Sequence, residues 1–174
     1  MCWYTESKKT IDTLFGSGAD LFIDLLAATS PRKQVKANWN LAKRLYFAHI
    51  NGRELPTKGT MPAHRGNIAR ALKGETLSGN KVAAFAANLK GDLNRVTIDV
   101  WVLRYFKIDK QSLTNKQYFA LEKKIQRLAR RNKMNPASYQ AMIWEKSIRR
   151  AGKKPVSYTG VSEINQKKFA FMEN

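Results

Sequence analysis

Lys81 and Asp99 stand eighteen residues apart within LSGNKVAAFAANLKGDLNRVTIDVWVLR, residues 77–104. An amine that has shed its proton is a nucleophile, and a carboxylate near it can move protons or steady a growing positive charge. The same two residues can equally be solvated charges, so the elements around them decide between a reaction centre and a surface. Lys81 follows the polar turn Ser78-Gly79-Asn80 and precedes Val82, Phe85, Ala86 and Leu89, the i, i+3, i+4, i+7 spacing of one helix face. Asp99 follows the extended Val96-Thr97-Ile98 and opens DVWVLRYF. A carboxylate at a helix start accepts from free N–H groups and is favoured by the helix dipole. A plain helix cap is therefore the competing reading of Asp99.

The rest of the chain reads as further helices. A short one around Ile11 to Phe15 ends in the turn Gly16-Ser17-Gly18, and ADLFIDLLAAT then places Leu21, Phe22, Leu25 and Leu26 on a buried face. Ser30 and Pro31 predict the cap and first residue of a helix running to about His49, with Val35, Asn38, Trp39, Ala42, Leu45 and Tyr46 on one side. NGRELPTKGTMPAHRG reads as a loop before a helix over 62–73, which Gly74 ends. Thr114 caps a helix with Tyr118, Leu121, Ile125 and Leu128 in its apolar stripe, and Asn135-Pro136 opens the next. No strand-turn-strand pattern stands out, so the expected fold class is all-α. The expected organisation is one helical domain over 1–155, with a hairpin over 68–89, a catalytic segment over 96–107, basic helices over 114–151 and a tail over 156–174.

Composition bounds what such a chain can do. Its 174 residues, 43% of them hydrophobic, suffice for a real core. Lys plus Arg number 32 against 13 Asp plus Glu, a formal charge of +19. Arg104 to Lys154 alone holds fifteen bases against three acids, a net +12. A field of this size draws in polyanions, chiefly nucleic acid. No long apolar run or charged-then-apolar leader speaks for a membrane partner. Cys2 alone cannot form an internal disulfide, and with only His49 and His64 beside it no metal-ligand cluster is expected. The single cysteine fits an intracellular compartment, cytoplasm or nucleoid, or the host cytoplasm for a viral protein. Neither a cofactor nor a metal is expected, and the chain is expected to be a monomer.

Leu77, Gly79, Lys81, the helix Val82 to Leu89, then Val96, Asp99, Trp101 and Arg104 together resemble the helix-hairpin-helix DNA glycosylase superfamily, the endonuclease III and oxoguanine glycosylase group. FIDLLAATSPRKQVKANWNLAKRL and HRGNIARAL are similar to earlier segments of that family, so the likeness covers about residues 20–107. The hairpin turn is shortened, Trp101 stands where a histidine is frequent, and the cysteines of an iron–sulfur cluster are absent. The resemblance is thus to a divergent member without the cluster.

That resemblance implies a two-lobed helical fold and a glycosylase, bifunctional with abasic-site lyase activity, acting on a base flipped from a duplex or in a single strand. It makes Lys81 the nucleophile that forms a Schiff base with the sugar and Asp99 its carboxylate partner. Backbone N–H groups at Gly79, Asn80 and Lys81 would hold a phosphate. Thr29 and Ser30 would lie near the gap left by the flipped base, with Ser30 alternatively a simple cap. Arg32, Arg65, Asn67 and Arg104 are either phosphate contacts or solvated surface. Trp39, Trp101 and Trp144 are either core or walls of the base pocket. Three other functions remain open: on the same scaffold a non-catalytic basic DNA-binding protein or another enzyme acting on hypermodified bases, and apart from it a basic RNA-binding structural protein.

Overall fold

A computed structural model describes residues 2–162. The described chain is helical and holds no β-strand. In order, the helices are α1 (Trp3–Phe15), a 3-10 turn (Gly16–Gly18), α2 (Ala19–Ala28), α3 (Val35–Ile50), α4 (Pro62–Leu72), α5 (Asn80–Lys90), α6 (Val100–Tyr105), α7 (Asn115–Arg131) and α8 (Pro136–Arg150). The chain divides into two compact units. One holds the residues up to Thr5 with Gly79–Pro155, and the other holds Glu6–Ser78 with the chain from Val156. The residues expected as one domain over 1–155 contribute to both units, and the expected hairpin over 68–89 places one helix in each.

In the unit that contains Lys81, α6 and α7 both pack on α8. Val96, Ile98, Val102, Leu103, Leu121, Ile125 and Ile143 form its core. Local signals set the helix ends here: Thr114 and Gln117 form a reciprocal capping box at α7, while Asn135 caps α8 ahead of Pro136. Tyr4 belongs to this unit and donates to Gln140 Oε1 at 2.8 Å.

In the other unit α2 lies against α3 and α4. Phe22, Ile23, Leu25, Leu26, Ala27 and Ala28 are all fully buried, so most of α2 faces core, with Asp20 and Asp24 one turn apart on its remaining side. Phe22 stacks on Phe15 with centroids 3.8 Å apart and meets Trp39 edge-on at 4.9 Å. Residues 158–162 form a turn of helix, and Tyr158 packs on Trp39 and accepts from Asn38 Nδ2 at 2.7 Å. The expected tail thus begins with residues built into this core, and its remainder, 163–174, lies outside the described residues.

Two helix boundaries differ from the sequence expectation. α1 starts at Trp3, eight residues before Ile11, and α3 starts at Val35 behind Gln34, not at Pro31. Residues 31–34 instead make a turn in which Arg32 takes the left-handed φ of 58°. Ser30 does not cap α3: its hydroxyl turns back and donates to Ala27 O at 2.8 Å, closing α2.

Candidate functional site

Gly79 sets up the start of α5. It adopts φ 94° and ψ 134°, a region that side chains rarely enter, and its carbonyl accepts from Ala83 N at 2.9 Å. No side chain caps the helix there, so the first-turn N–H groups of Asn80 and Lys81 face outward from a helix start. Asn80 Nδ2 donates to Asn115 Oδ1 at 2.7 Å, tying this start to that of α7. Lys81 is the second residue of α5 and is half-buried.

Asp99 is the N-cap of α6, as the sequence predicts. Its Oδ1 accepts from Val102 N at 3.0 Å. Burial pushes its carboxyl above the usual range for an aspartate, opposed by hydrogen bonds from the N–H of Val102, the charge of Lys81, the N–H of Trp101 and the indole of Trp144. A cap alone needs no second donor from a distant helix. Here the indole N–H of Trp144 on α8 and the ammonium of Lys81 on α5 both bear on the carboxylate that α6 presents.

The segment that carries Asp99 is held by buried polar side chains that sequence reasoning missed. Asn88 stands seven residues after Lys81 on α5, two turns along the same face. Its Nδ2 donates to Asp92 O at 2.8 Å and to Arg95 O at 2.9 Å, and its Oδ1 accepts from Thr97 Oγ1 at 2.7 Å. From α7, Tyr118 donates to Val96 O at 2.6 Å and accepts from Ile98 N at 3.2 Å, while Glu122 accepts from Val96 N at 2.8 Å and Arg95 Nε at 3.1 Å. The helix of Lys81 therefore fixes the segment that ends in Asp99. The signal in the sequence was a polar residue inside an apolar stripe, Asn88 in AAFAANL and Glu122 beside Leu121.

The remaining expected site residues divide. In the Lys81 unit, Trp144 bears on Asp99 and also meets Trp3 at 5.9 Å. Trp101 is half-buried and flanked by two cations, the Arg104 guanidinium 4.5 Å and Lys153 Nζ 5.4 Å from its ring centroid. Arg104 is exposed.

In the other unit, Thr29 and Asn67 are placed otherwise than expected, and Trp39 takes the core role that was one of its two readings. Thr29 is fully buried, donating to Leu25 O at 2.8 Å within 2.7 Å of Asn38 Oδ1, so it belongs to the core and not to a flipped-base gap. Trp39 is 1% exposed among Phe15, Phe22 and Tyr158 and offers no face to a base. Asn67 turns its amide on Ser78, donating to its carbonyl at 2.9 Å and accepting from its N–H at 2.7 Å, which braces the turn ahead of Gly79. Arg32 and Arg65 are exposed, and Arg65 borders an apolar cleft of about 280 Å³ lined by Leu45, Leu55, Ile68 and Leu72.

Among the described residues no cluster of three or more His, Cys, Asp or Glu could hold a metal ion, and no helix is long and apolar enough to cross a membrane. One family model matches residues 1–151, most of the chain. The chain belongs to DUF7178, a family of unknown function. No curated protein matches it, and no solved structure does. The DUF7178 match takes in α5, Asp99 and the whole of α8, so the Lys81 and Asp99 arrangement lies inside the family's segment.

Proposed function

We propose that this DUF7178 chain is a DNA glycosylase with abasic-site lyase activity, built on a helix-hairpin-helix glycosylase-like fold. The observation that carries the reading is that Lys81 at the start of α5 and the half-buried, cap-held Asp99 of α6 lie in one unit, with the charge of Lys81 bearing on that carboxylate. The charge of +19 supports a DNA partner and supplies attraction that offsets the few kcal/mol of flipping a nucleotide.

In this mechanism the lone pair of Lys81 Nζ attacks C1′ of the flipped nucleotide, and the glycosidic C–N bond breaks with its electrons leaving on the base. Asp99 steadies the positive charge on the sugar and takes the proton that Lys81 loses. Opening of the sugar ring leaves a Schiff base, loss of a proton from C2′ expels the 3′ phosphate, and water releases the lysine. The N–H groups at the start of α5 hold a neighbouring phosphate, and Trp144, whose indole bears on Asp99, and Trp101, two residues after that aspartate, are the candidate rings for the base.

The test is borohydride trapping on oligonucleotides that carry an abasic site or one of a panel of damaged and hypermodified bases. A covalent adduct with the wild-type chain, absent in Lys81→Ala and Lys81→Arg, is the expected result. An adduct that persists in Lys81→Ala, or none on any substrate while the DNA is bound, overturns it; the latter result leaves a binding protein.

A further inference from the structure

The outer face of α7 takes no part in the Lys81 and Asp99 chemistry. Tyr118, Leu121, Glu122, Ile125 and Ala129 are its buried side. Opposite them Lys116, Lys123, Arg127 and Arg130 are exposed. At the helical repeat these four fall within about 40° of one line and extend about 21 Å along the axis. Among the described residues none of the four has an acidic partner. The helix's one carboxylate, Glu122, is buried and taken up by Arg95 and the N–H of Val96.

A helix face that serves only to meet solvent gains from opposite charges three or four residues apart. This face does the reverse. Arg127 stands three or four residues from Lys123, Lys124, Arg130 and Arg131, all of like sign, and Lys116 lies in the first turn, where the dipole disfavours a cation. Only Arg130, in the last turn, is favoured by the dipole; the like charges along the rest of the face oppose folding, whereas a bound polyanion relieves them. Beside the line lies Phe119, 44% exposed and the one large exposed hydrophobic side chain among the described residues of this unit. A row of cations next to an open aromatic ring is how single strands are held, with phosphates neutralised and a base stacked. A duplex offers Phe119 no free base face. A membrane surface attracts cations too, but a helix binds it by inserting an apolar face, and that of α7 is already in the core.

We infer that the outer face of α7 binds single-stranded DNA, with Lys116, Lys123, Arg127 and Arg130 on its phosphates and Phe119 stacked on a base. This surface needs no lesion and no lysine chemistry, so it is tested apart from the proposed reaction.

Anisotropy of labelled, lesion-free single-stranded and duplex oligonucleotides of one length, titrated with the full chain at several salt concentrations, gives the answer. Replacing all four cations by Gln lowers single-strand affinity by more than about tenfold, and lowers the slope of log affinity against log salt by about 3, at roughly 0.7 per phosphate contact. A control that neutralises four exposed cations of the other unit, Lys9, Lys36, Arg53 and Lys73, changes the slope by less than about 1. Phe119→Ala weakens single-strand binding about tenfold and leaves duplex binding in place. Should the fourfold variant fail to fold, Arg127→Gln alone lowers the slope by about 0.7. Equal losses in the fourfold variant and the control, an unchanged slope in Arg127→Gln, or equal effects of Phe119→Ala on both DNA forms overturn the inference. So does loss of binding to phosphatidylserine vesicles with DNA binding intact.

Discussion

Asp99 offers a way to separate a functional carboxylate from a structural one, because the two roles predict opposite signs. Burial raises its folded-state pKa, so the folded chain holds this proton more tightly than the unfolded chain does. Stability tied to Asp99 is then greatest below the ordinary aspartate range and falls as pH rises through the raised folded value. Asp99→Asn keeps an oxygen for Val102 N and removes the half-buried charge. At neutral pH it should raise Tm by a few degrees, on the order of 1 kcal/mol for a chain of this size, and the gain should vanish near pH 4. The same variant should lose about a hundredfold or more in glycosylase or lyase rate. Thermal melts across pH beside a trapping assay check both; a fall in Tm at neutral pH would show that the charge is structural. Asp99 and Lys81 were legible in the sequence because a cap and a helix start depend on a few neighbouring residues. Thr29 and Asn67 were misread because what occupies them is distant in the chain, Asn38 for Thr29 and Ser78 for Asn67, whereas Trp39 takes the core role that its helix face indicated, closed over by Tyr158.

Among the elements, α5 carries both the nucleophile and the clamp on its partner's segment. Asn88→Ala removes the donor to two carbonyls and the acceptor for Thr97, leaving buried polar groups unpaired. It should cost about 2–4 kcal/mol in urea unfolding. Tyr118→Phe loses the bonds to Val96 O and Ile98 N and should cost about 1–2 kcal/mol. If these side chains position Asp99, both variants lower activity more than the loss of folded protein accounts for. Gly79→Ala isolates backbone conformation, since an added Cβ would meet nothing within 4 Å and the whole penalty comes from φ 94°. A destabilisation of about 1 kcal/mol or more is expected, and none would mean that the turn relaxes freely. Most helices were legible because caps and apolar periodicity mark them locally, as at Thr114, Asn135 and Gly74. The first eight residues of α1 were not, because its buried positions Tyr4, Ser7 and Ile11 include a serine, which breaks the apolar stripe. The start of α3 was misplaced because Ser30-Pro31 has the composition of a cap, while the chain spends it on a left-handed turn at Arg32.

The whole molecule carries more positive charge than its fold needs, and that excess has two effects of opposite sign with salt. Without DNA, like charges repel within the folded state, and raising ionic strength screens them. Tm of the free chain should therefore climb from low salt to about 0.5 M, and climb less in the variant lacking the four α7 cations. With a lesion-free single strand present, binding adds stability by mass action, about 2.7 kcal/mol at a hundredfold excess over Kd. Salt weakens that term, because each phosphate contact returns a counterion when it breaks. The DNA-induced shift in Tm should thus shrink between about 50 mM and about 200 mM salt while the free-chain Tm rises, so the two melting curves converge. The fourfold α7 variant should show both the weaker climb and the smaller shift. A shift that survives high salt would place the binding energy in stacking and hydrogen bonds instead of phosphate contacts, and would take the main DNA contact away from the α7 cations.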